Sequence, residues 1–515
     1  MKTVTIMLVA AVAGALLTPA AAATASDPIA RTENGLVRGK SAAGYQVYSG
    51  VPFAAPPVGD LRWRSPRTAH PWTGVRDATQ PSPRCAQTDG AHARTEVEDC
   101  LYLDVTTPTT AGRKPVMVWL HGGGNSFLNA SDFDAHRLAV GGNVVVVSIN
   151  FRLGVFGNFS LPQLGNTSSF TLQDQQAALR WVRRNAAAFG ANPANVTLFG
   201  ESGGGYDVCG QLASPAARGL FDRAIMQSGS CSMTWPVNGI KVGDPAGSPW
   251  ISVPQLRSRS AALAAKVGCT DPSTVADCLR RTPAGAIIDA SPTPVTTPLA
   301  YGNSTLPERP DLALAAGHFP RVPVMSGTTR DEAALTVGFM TDEQLAYGRL
   351  LQQEFGAAAP RVRATYPAND TDPWATRAVA LTAAHTDRVW SCGHLTDDRL
   401  LAQQTTVYAY EFADRDAPTG FFAFPPGFPP RAYHSSEVTY FFDQGFPYTF
   451  RPDQQLLSDQ LISYWATFAA NGDPNRAGQP HWAPFTGRNA QSLAPAAVRG
   501  VDLDATHHCQ FWSTV

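Results

Sequence analysis

The sequence predicts an α/β protein built on a large, mostly parallel sheet flanked by helices, and three observations carry that expectation. Short β-branched apolar runs recur along the chain, helical stretches alternate with them, and the runs are apolar almost without interruption. A strand buried on both faces needs that continuous apolar character, and strand–helix alternation is the pattern of a parallel sheet.

The runs appear in the order "PVMVWL" (115–120), "NVVVVSI" (143–149), "NVTLF" (195–199), "RAIMQSG" (223–229), "RVPVMSG" (321–327) and "TVYAYEF" (406–412). Between the second and third, "LQDQQAALRWVRRNAAAF" (172–189) reads as a helix. At 515 residues, length alone suggests about two or three domains. No internal repeat or low-complexity linker divides the chain, so residues 26–515 are expected to form one α/β domain with long insertions. Hydrophobic residues make up 44% and charged residues 16%, which supports a large core and excludes global disorder. The net charge is -1 and no basic run stands out, so nucleic acid and anionic membranes have no electrostatic footprint.

The first residues, "MKTVTIMLVAAVAGALLTPAAAATASDP", combine Lys2, a short apolar run and an Ala-x-Ala at Ala23 and Ala25. They read as a secretory signal over residues 1–25, because the run is too short to cross a bilayer. No other stretch is long and apolar enough to be a span. Export suits the eight cysteines, since an even number in an oxidising compartment implies disulfides. No Cys-x-x-Cys pair or clustered Cys/His spacing suggests zinc, and the "HH" at His507 and His508 reads as a surface pair near the C-terminus.

In "LFGESGGGYDV" (198–208), Ser202 is either a nucleophile or an ordinary turn residue. A strand that turns into a helix through G-x-S-x-G can push a serine hydroxyl outward, and side chains at Gly200 and Gly204 would collide with the flanking elements. The helix N-terminus would then favour developing negative charge at Ser202. Such a serine needs a base, and the base needs an orienting carboxylate; in α/β-hydrolases the chain order is Ser, acid, His. Two downstream segments fit by context, "GTTRDEA" (327–333) after a strand and "AYHSSEV" (432–438) after an aromatic loop. His318, His385 and His394 lack that placement. "HGGG" at 121–124 follows a strand and offers unhindered backbone N–H groups to an oxyanion. The aromatic loop "APTGFFAFPPGFPPRAYH" (417–434) either lines an apolar cleft or packs onto the body.

With these motifs in order, the chain resembles the type-B carboxylesterase family, which includes cholinesterases and some fungal lipases. The likeness runs through "YSGVPFAAPPVGDLRWRSP", "EDCLYLDV", "HGGG", "NFRLGVFG", "GESGGG", "GTTRDEA", "YHSSEVTYFF" and "SDQLISYWATFAANGDPN", covering nearly all of the chain after the signal. The resemblance implies an α/β-hydrolase fold, Ser202 as nucleophile, His434 as base and then acid, and Glu332 rather than Asp331 as the orienting carboxylate. It implies Gly123, Gly124 and Gly203 as oxyanion donors, and puts Glu201 and Glu437 at positions that either tune the imidazole or serve structure. It also suggests the disulfides Cys85–Cys100, Cys269–Cys278 and Cys392–Cys509. Cys209 and Cys231 remain, one on the helix after the elbow and one beyond the next strand, so that a further bridge is expected.

Three positions depart from the family pattern: Gly203 replaces the usual Ala, Asn125 replaces an aromatic residue, and Asp207 stands where Ser is usual. Asn125 is expected to change pocket shape and polarity, and the Asp207 carboxylate must be solvated or paired. The expected activity is that of a secreted serine carboxylesterase acting on small-molecule esters without metal or organic cofactor. A lipase preferring longer acyl chains is the alternative within enzymes, and a non-catalytic adhesion or binding protein is the alternative outside them.

Overall fold

The computed structural model describes residues 27–515, save 89–93, 110, 166–167, 292–294 and 421. The expected signal segment, 1–25, thus lies outside the described residues. The architecture is built on an eleven-stranded sheet. Its strands in chain order are β1 (Lys40–Ala42), β2 (Tyr45–Pro52), β3 (Tyr102–Pro108), β4 (Lys114–Leu120), β5 (Val145–Ile149), β6 (Ala191–Glu201), β7 (Arg223–Gln227), β8 (Val324–Thr329), β9 (Val407–Phe412), β10 (Asn489–Leu493) and β11 (Arg499–Asp502). Across the sheet they run β1-β2-β3-β5-β4-β6-β7-β8-β9-β10-β11. From β5 to β10 neighbours are parallel, while the flanking strands pair antiparallel. The α/β-hydrolase expectation is therefore met, with all six apolar runs in the parallel stretch.

Burial explains the apolar continuity of those runs, because every residue of β5, β8 and β9 is buried. Side chains alternate between the two faces with the strand period. Val116, Val118 and Leu120 join a cluster with Leu172 and Leu179 of helix α1 (Phe170–Asn185). Met117 and Trp119 join a second cluster with Leu461 and Trp465 of a helix near the C-terminus (Pro452–Asn471). Two smaller clusters lie under insertions: one gathers Trp390, Phe428, Tyr433 and Trp512, and the other gathers Phe156, Phe159, Leu263 and Ile287.

Four disulfides join Cys85–Cys100, Cys209–Cys231, Cys269–Cys278 and Cys392–Cys509, with Cα separations of 5.0, 5.5, 5.6 and 5.3 Å. The expectation that His507 and His508 form a surface pair is corrected by burial. His508 is exposed, but His507 is 3% exposed and held between Asp387 and Glu411. Among the described residues no helix is long and apolar enough to cross a membrane.

Candidate active site

The parallel strands all end on one edge of the sheet, and that edge is where an open α/β sheet presents its loops for chemistry. Four loops converge there. The HGGG loop follows β4, the elbow follows β6, the Asp331–Glu332 turn follows β8, and the long aromatic loop after β9 leads to His434.

The elbow is a strained turn. Ser202 has φ 57 and ψ -116, a conformation that L side chains rarely adopt, between β6 and helix α2 (Gly203–Ala213). Close approach explains its glycines: a Cβ on Gly200 would lie 2.6 Å from the Gly204 carbonyl, and one on Gly204 would fall on the carbonyl of Leu120. Every residue of α2 is buried, yet Ser202 is partly exposed. The sharp turn therefore lifts one hydroxyl out of a packed strand–helix unit.

His434 Nε2 lies 2.7 Å from Ser202 Oγ, and its Nδ1 lies 2.5 Å from Glu332 Oε2. Glu332 is fully buried and also accepts the Thr329 N–H at 2.8 Å. Its neighbour Asp331 points elsewhere, accepting two hydrogen bonds of 2.9 Å from Arg415. The two loops are also stitched by backbone bonds, Asp331 N–H to the Ala432 carbonyl at 2.9 Å and His434 N–H to the Glu332 carbonyl at 3.3 Å.

Glu201 Oε1 accepts the Ser435 hydroxyl at 2.6 Å and stands 3.4 Å from His434 Nε2. Burial pushes Glu201 up to about 7, against the nearby His434 and Ser435. Burial pushes Glu437 well above the carboxylate range, and the Glu201 and Glu332 charges add to that. Burial alone would lower His434, but Glu332 and then Glu201 outweigh it and hold the imidazole up at about 9. The other downstream histidines are engaged elsewhere: His394 with Ser326, His385 with Glu354, and His318 with Glu308.

Gly123 and Gly124 line the cavity in front of Ser202, with φ of +87 and +59. A Cβ on Gly124 would fall on the Val295 carbonyl, so glycine is needed there for both reasons. Among the described residues the N–H groups of Gly123, Gly124 and Gly203 donate to no carbonyl or side chain. The cavity holds about 130 Å³ and is lined by Phe127, Leu128, Trp235, Trp390 and Phe422 around the polar floor of Ser202, Glu201 and His434. The aromatic loop does both things that were open for it, since Phe422 lines the cavity while Phe428 packs into the core.

The fold, the edge location and the motif order have a family behind them. A model of the carboxylesterase family matches residues 26–512. The chain belongs to the carboxylesterase family. It is 32% identical to an acylcarnitine hydrolase of Rattus norvegicus over 95% of this chain and 91% of that protein. It is 31% identical to a cocaine esterase of Homo sapiens over 95% and 91%, and 31% identical to carboxylesterase 1D of Mus musculus over 95% and 93%. This carboxylesterase is a carboxylic ester hydrolase, as the family and those relatives are.

One arrangement was not foreseen from sequence. The two departures Asn125 and Asp207 are partners: Asn125 Nδ2 donates to Asp207 Oδ1 at 2.8 Å, and Gln175 Nε2 of α1 donates to Asp207 Oδ2 at 2.5 Å. The carboxylate is fully buried, and burial pushes it up to about 7 against those two hydrogen bonds. The bridge ties the loop of Gly123 and Gly124 to the elbow helix and to α1. The sequence signal for it is a run of buried polar residues, Gln173 to Gln176, in a helix that otherwise faces the core.

Proposed function

We propose that Ser202, His434 and Glu332 act as a catalytic triad and that the enzyme cleaves small carboxylic esters through an acyl-enzyme. One observation carries the proposal, the unbroken hydrogen-bond line from Ser202 Oγ through His434 to Glu332 on the floor of an apolar cavity. As Ser202 Oγ bonds to the ester carbonyl carbon, His434 Nε2 takes its proton and the carbonyl oxygen becomes an oxyanion. The N–H groups of Gly123, Gly124 and Gly203, without an acceptor among the described residues, receive that charge. Collapse of the oxyanion breaks the bond to the alcohol, which leaves with the proton from Nε2. A water, deprotonated by the same nitrogen, then releases the acid and restores Ser202.

The charge pattern supports a base at this position. Burial raises Glu437 well above the carboxylate range, and Glu332, which faces Nδ1, is the larger of the two charges that favour a proton on the imidazole, ahead of Glu201. That leaves Nε2 free to exchange a proton with Oγ. The relatives' names point to esters of small molecules, acylcarnitines and cocaine among them. A cavity of about 130 Å³ with aromatic walls supports that class here.

The proposal extends to export. Removal of residues 1–25 as a signal would place the chain in an oxidising compartment, and four disulfides suit such a place. Residues 26–515 then fold as one domain, a reading supported by a single sheet that draws strands from Lys40 to Asp502.

The test is hydrolysis of p-nitrophenyl esters from acetate to palmitate by the mature protein and by Ser202→Ala. The expected result is saturable turnover, fastest on the shorter esters, that falls by about 10⁵-fold or more in the variant. Turnover that survives in Ser202→Ala would overturn the serine mechanism, and a palmitate optimum would replace the substrate class with that of a lipase.

A further inference from the structure

A second cavity, larger than the one holding Ser202, lies on the other side of the loop that carries Gly123 and Gly124. It holds about 260 Å³, and Leu153, Phe156, Phe159, Leu256, Leu263 and Ile288 make it apolar. Helix α3 (Val253–Lys266) forms one side. The helical period turns its buried Leu256, Ser260 and Leu263 into the cavity, while Arg259, Ala262 and Lys266, also on the lining, are exposed. One helix thus supplies both the apolar interior and a mouth open to solvent.

The mouth has a sign. Arg259 and Lys266 are the charged groups on the lining, and among the described residues no carboxylate lines the cavity. Arg259 has no ion-pair partner among the described residues, and Lys266 Nζ meets a neutral acceptor, the Ala290 carbonyl at 3.3 Å. An apolar chamber whose described lining carries two cations and no carboxylate fits a molecule with an apolar tail and an anionic head.

The wall between the two cavities is thin. Val295 and Thr296 face the Ser202 cavity, and the next residues, Thr297 and Pro298, face the second one. Thr297 N–H donates to the Gly124 carbonyl at 2.7 Å, and the Ser126 and Thr297 hydroxyls meet at 2.9 Å. Gly154, on the lining of the second cavity, donates its N–H to the Asn125 carbonyl at 2.7 Å. Both neighbours of the oxyanion loop are therefore part of the second cavity's wall.

We propose that this cavity binds a fatty carboxylate, with its tail among the α3 leucines and its head at Arg259 and Lys266. Occupancy presses on the wall that positions Gly124, so the fatty acid slows turnover from a site other than the Ser202 cavity. The coupling to turnover, though not the binding, rests on the serine reading given above.

The experiment is calorimetric titration of the mature protein with decanoate, below its micelle concentration, before and after Ser202 is blocked with diethyl p-nitrophenyl phosphate. Two variants are titrated alongside: Ala262→Trp, which fills the mouth, and Arg259→Glu with Lys266→Glu, which reverses its charge. Hydrolysis of p-nitrophenyl acetate by each variant without decanoate reports folding. The expected result is one saturable site on the blocked protein, weakened about tenfold or more in each variant, and weaker binding of decanol than of decanoate. On the unblocked protein decanoate should lower kcat for p-nitrophenyl acetate without raising KM, and this effect should vanish in Ala262→Trp. Absence of saturable binding to the blocked protein, undiminished binding in both variants, or equal binding of decanol would each overturn the proposal. Failure of the phosphate ester to modify Ser202 would count against the serine reading alone, and the two variants would still report on the cavity.

Discussion

Two buried imidazoles in this carboxylesterase are gripped in nearly the same way and differ at one atom. His434 meets Glu332 through Nδ1 at 2.5 Å, and His507 meets Asp387 through Nδ1 at 2.6 Å. At Nε2 they part: His434 meets the Ser202 hydroxyl at 2.7 Å with the Glu201 carboxylate farther off at 3.4 Å, and His507 meets a second carboxylate, Glu411, directly at 2.7 Å. Burial would lower His507, but Asp387 and Glu411 outweigh it and hold the ring up at about 10. A second carboxylate locks the proton onto His507, whereas a hydroxyl facing a cavity leaves His434 somewhere to send its own. Under the proposed mechanism, whether a carboxylate–imidazole pair serves chemistry or structure is decided by what stands on the far nitrogen.

The largest expected effect separates the two rings by activity. His434→Gln should reduce kcat by about 10⁵-fold per folded molecule, while His507→Gln should keep most of its kcat per folded molecule. Steady-state kinetics and calorimetry on the same two samples check both halves. Equal loss of activity in the two would erase the distinction.

His507 should matter for stability. Removing His507 leaves Asp387 and Glu411 buried without their common cation, a change of about 3 kcal/mol or more. The pH dependence has a definite sign. The folded-state pKa of about 10 exceeds the ordinary 6.5, so the stabilisation is full below about 6.5 and is lost as pH rises toward 10. The difference in thermal midpoint between the native protein and His507→Gln should be large near pH 6 and shrink steadily by pH 10. A constant difference across that range would mean that packing, not charge, is what His507 contributes.

What could be read from the sequence follows the same division between local and distant causes. The elbow, the HGGG loop and the six inner strands were legible because their signals are local: a glycine pattern that a sharp turn requires, and apolar runs that a doubly covered sheet requires. The edge strands were not, because β3 mixes Leu103 and Val105 with Asp104, Thr106 and Thr107, whose burial depends on distant partners. Asp104, for instance, takes hydrogen bonds from Gly50 N–H at 2.8 Å and the Ser131 hydroxyl at 2.7 Å. His507 was misread for the same reason, since its carboxylates lie 120 and 96 residues away in the chain. Asn125 and Asp207 were each conspicuous alone, but their pairing spans 82 residues and exists only once the elbow helix packs under the loop of Gly123 and Gly124.

That pairing gives a smaller effect. Asp207→Ala removes the acceptor that holds Asn125 and leaves Gln175 Nε2 without its acceptor, so the loop of Gly123 and Gly124 gains freedom. With Gly123 and Gly124 as the proposed oxyanion donors, that loss of placement should lower kcat by about tenfold with KM nearly unchanged. A change confined to KM would assign the bridge to substrate binding instead.

The smallest effect tests how finely the surroundings set the active imidazole. Glu201 stands 3.4 Å from His434 Nε2, and its charge favours the imidazolium. Glu201→Gln keeps the shape and can still take the Ser435 hydroxyl at its carbonyl oxygen, but it carries no charge at any pH. The imidazolium loses one source of support, so its pKa must fall. Because the base must be neutral to accept the Ser202 proton, the acidic limb of the kcat/KM profile should move to lower pH by up to about one unit. His507, remote from this change, should keep its own pH dependence of stability. If the limb stays put while the plateau falls, Glu201 acts by placing Ser435 and His434 and not through its charge, and the far-nitrogen rule would need only the hydroxyl, without any tuning around it.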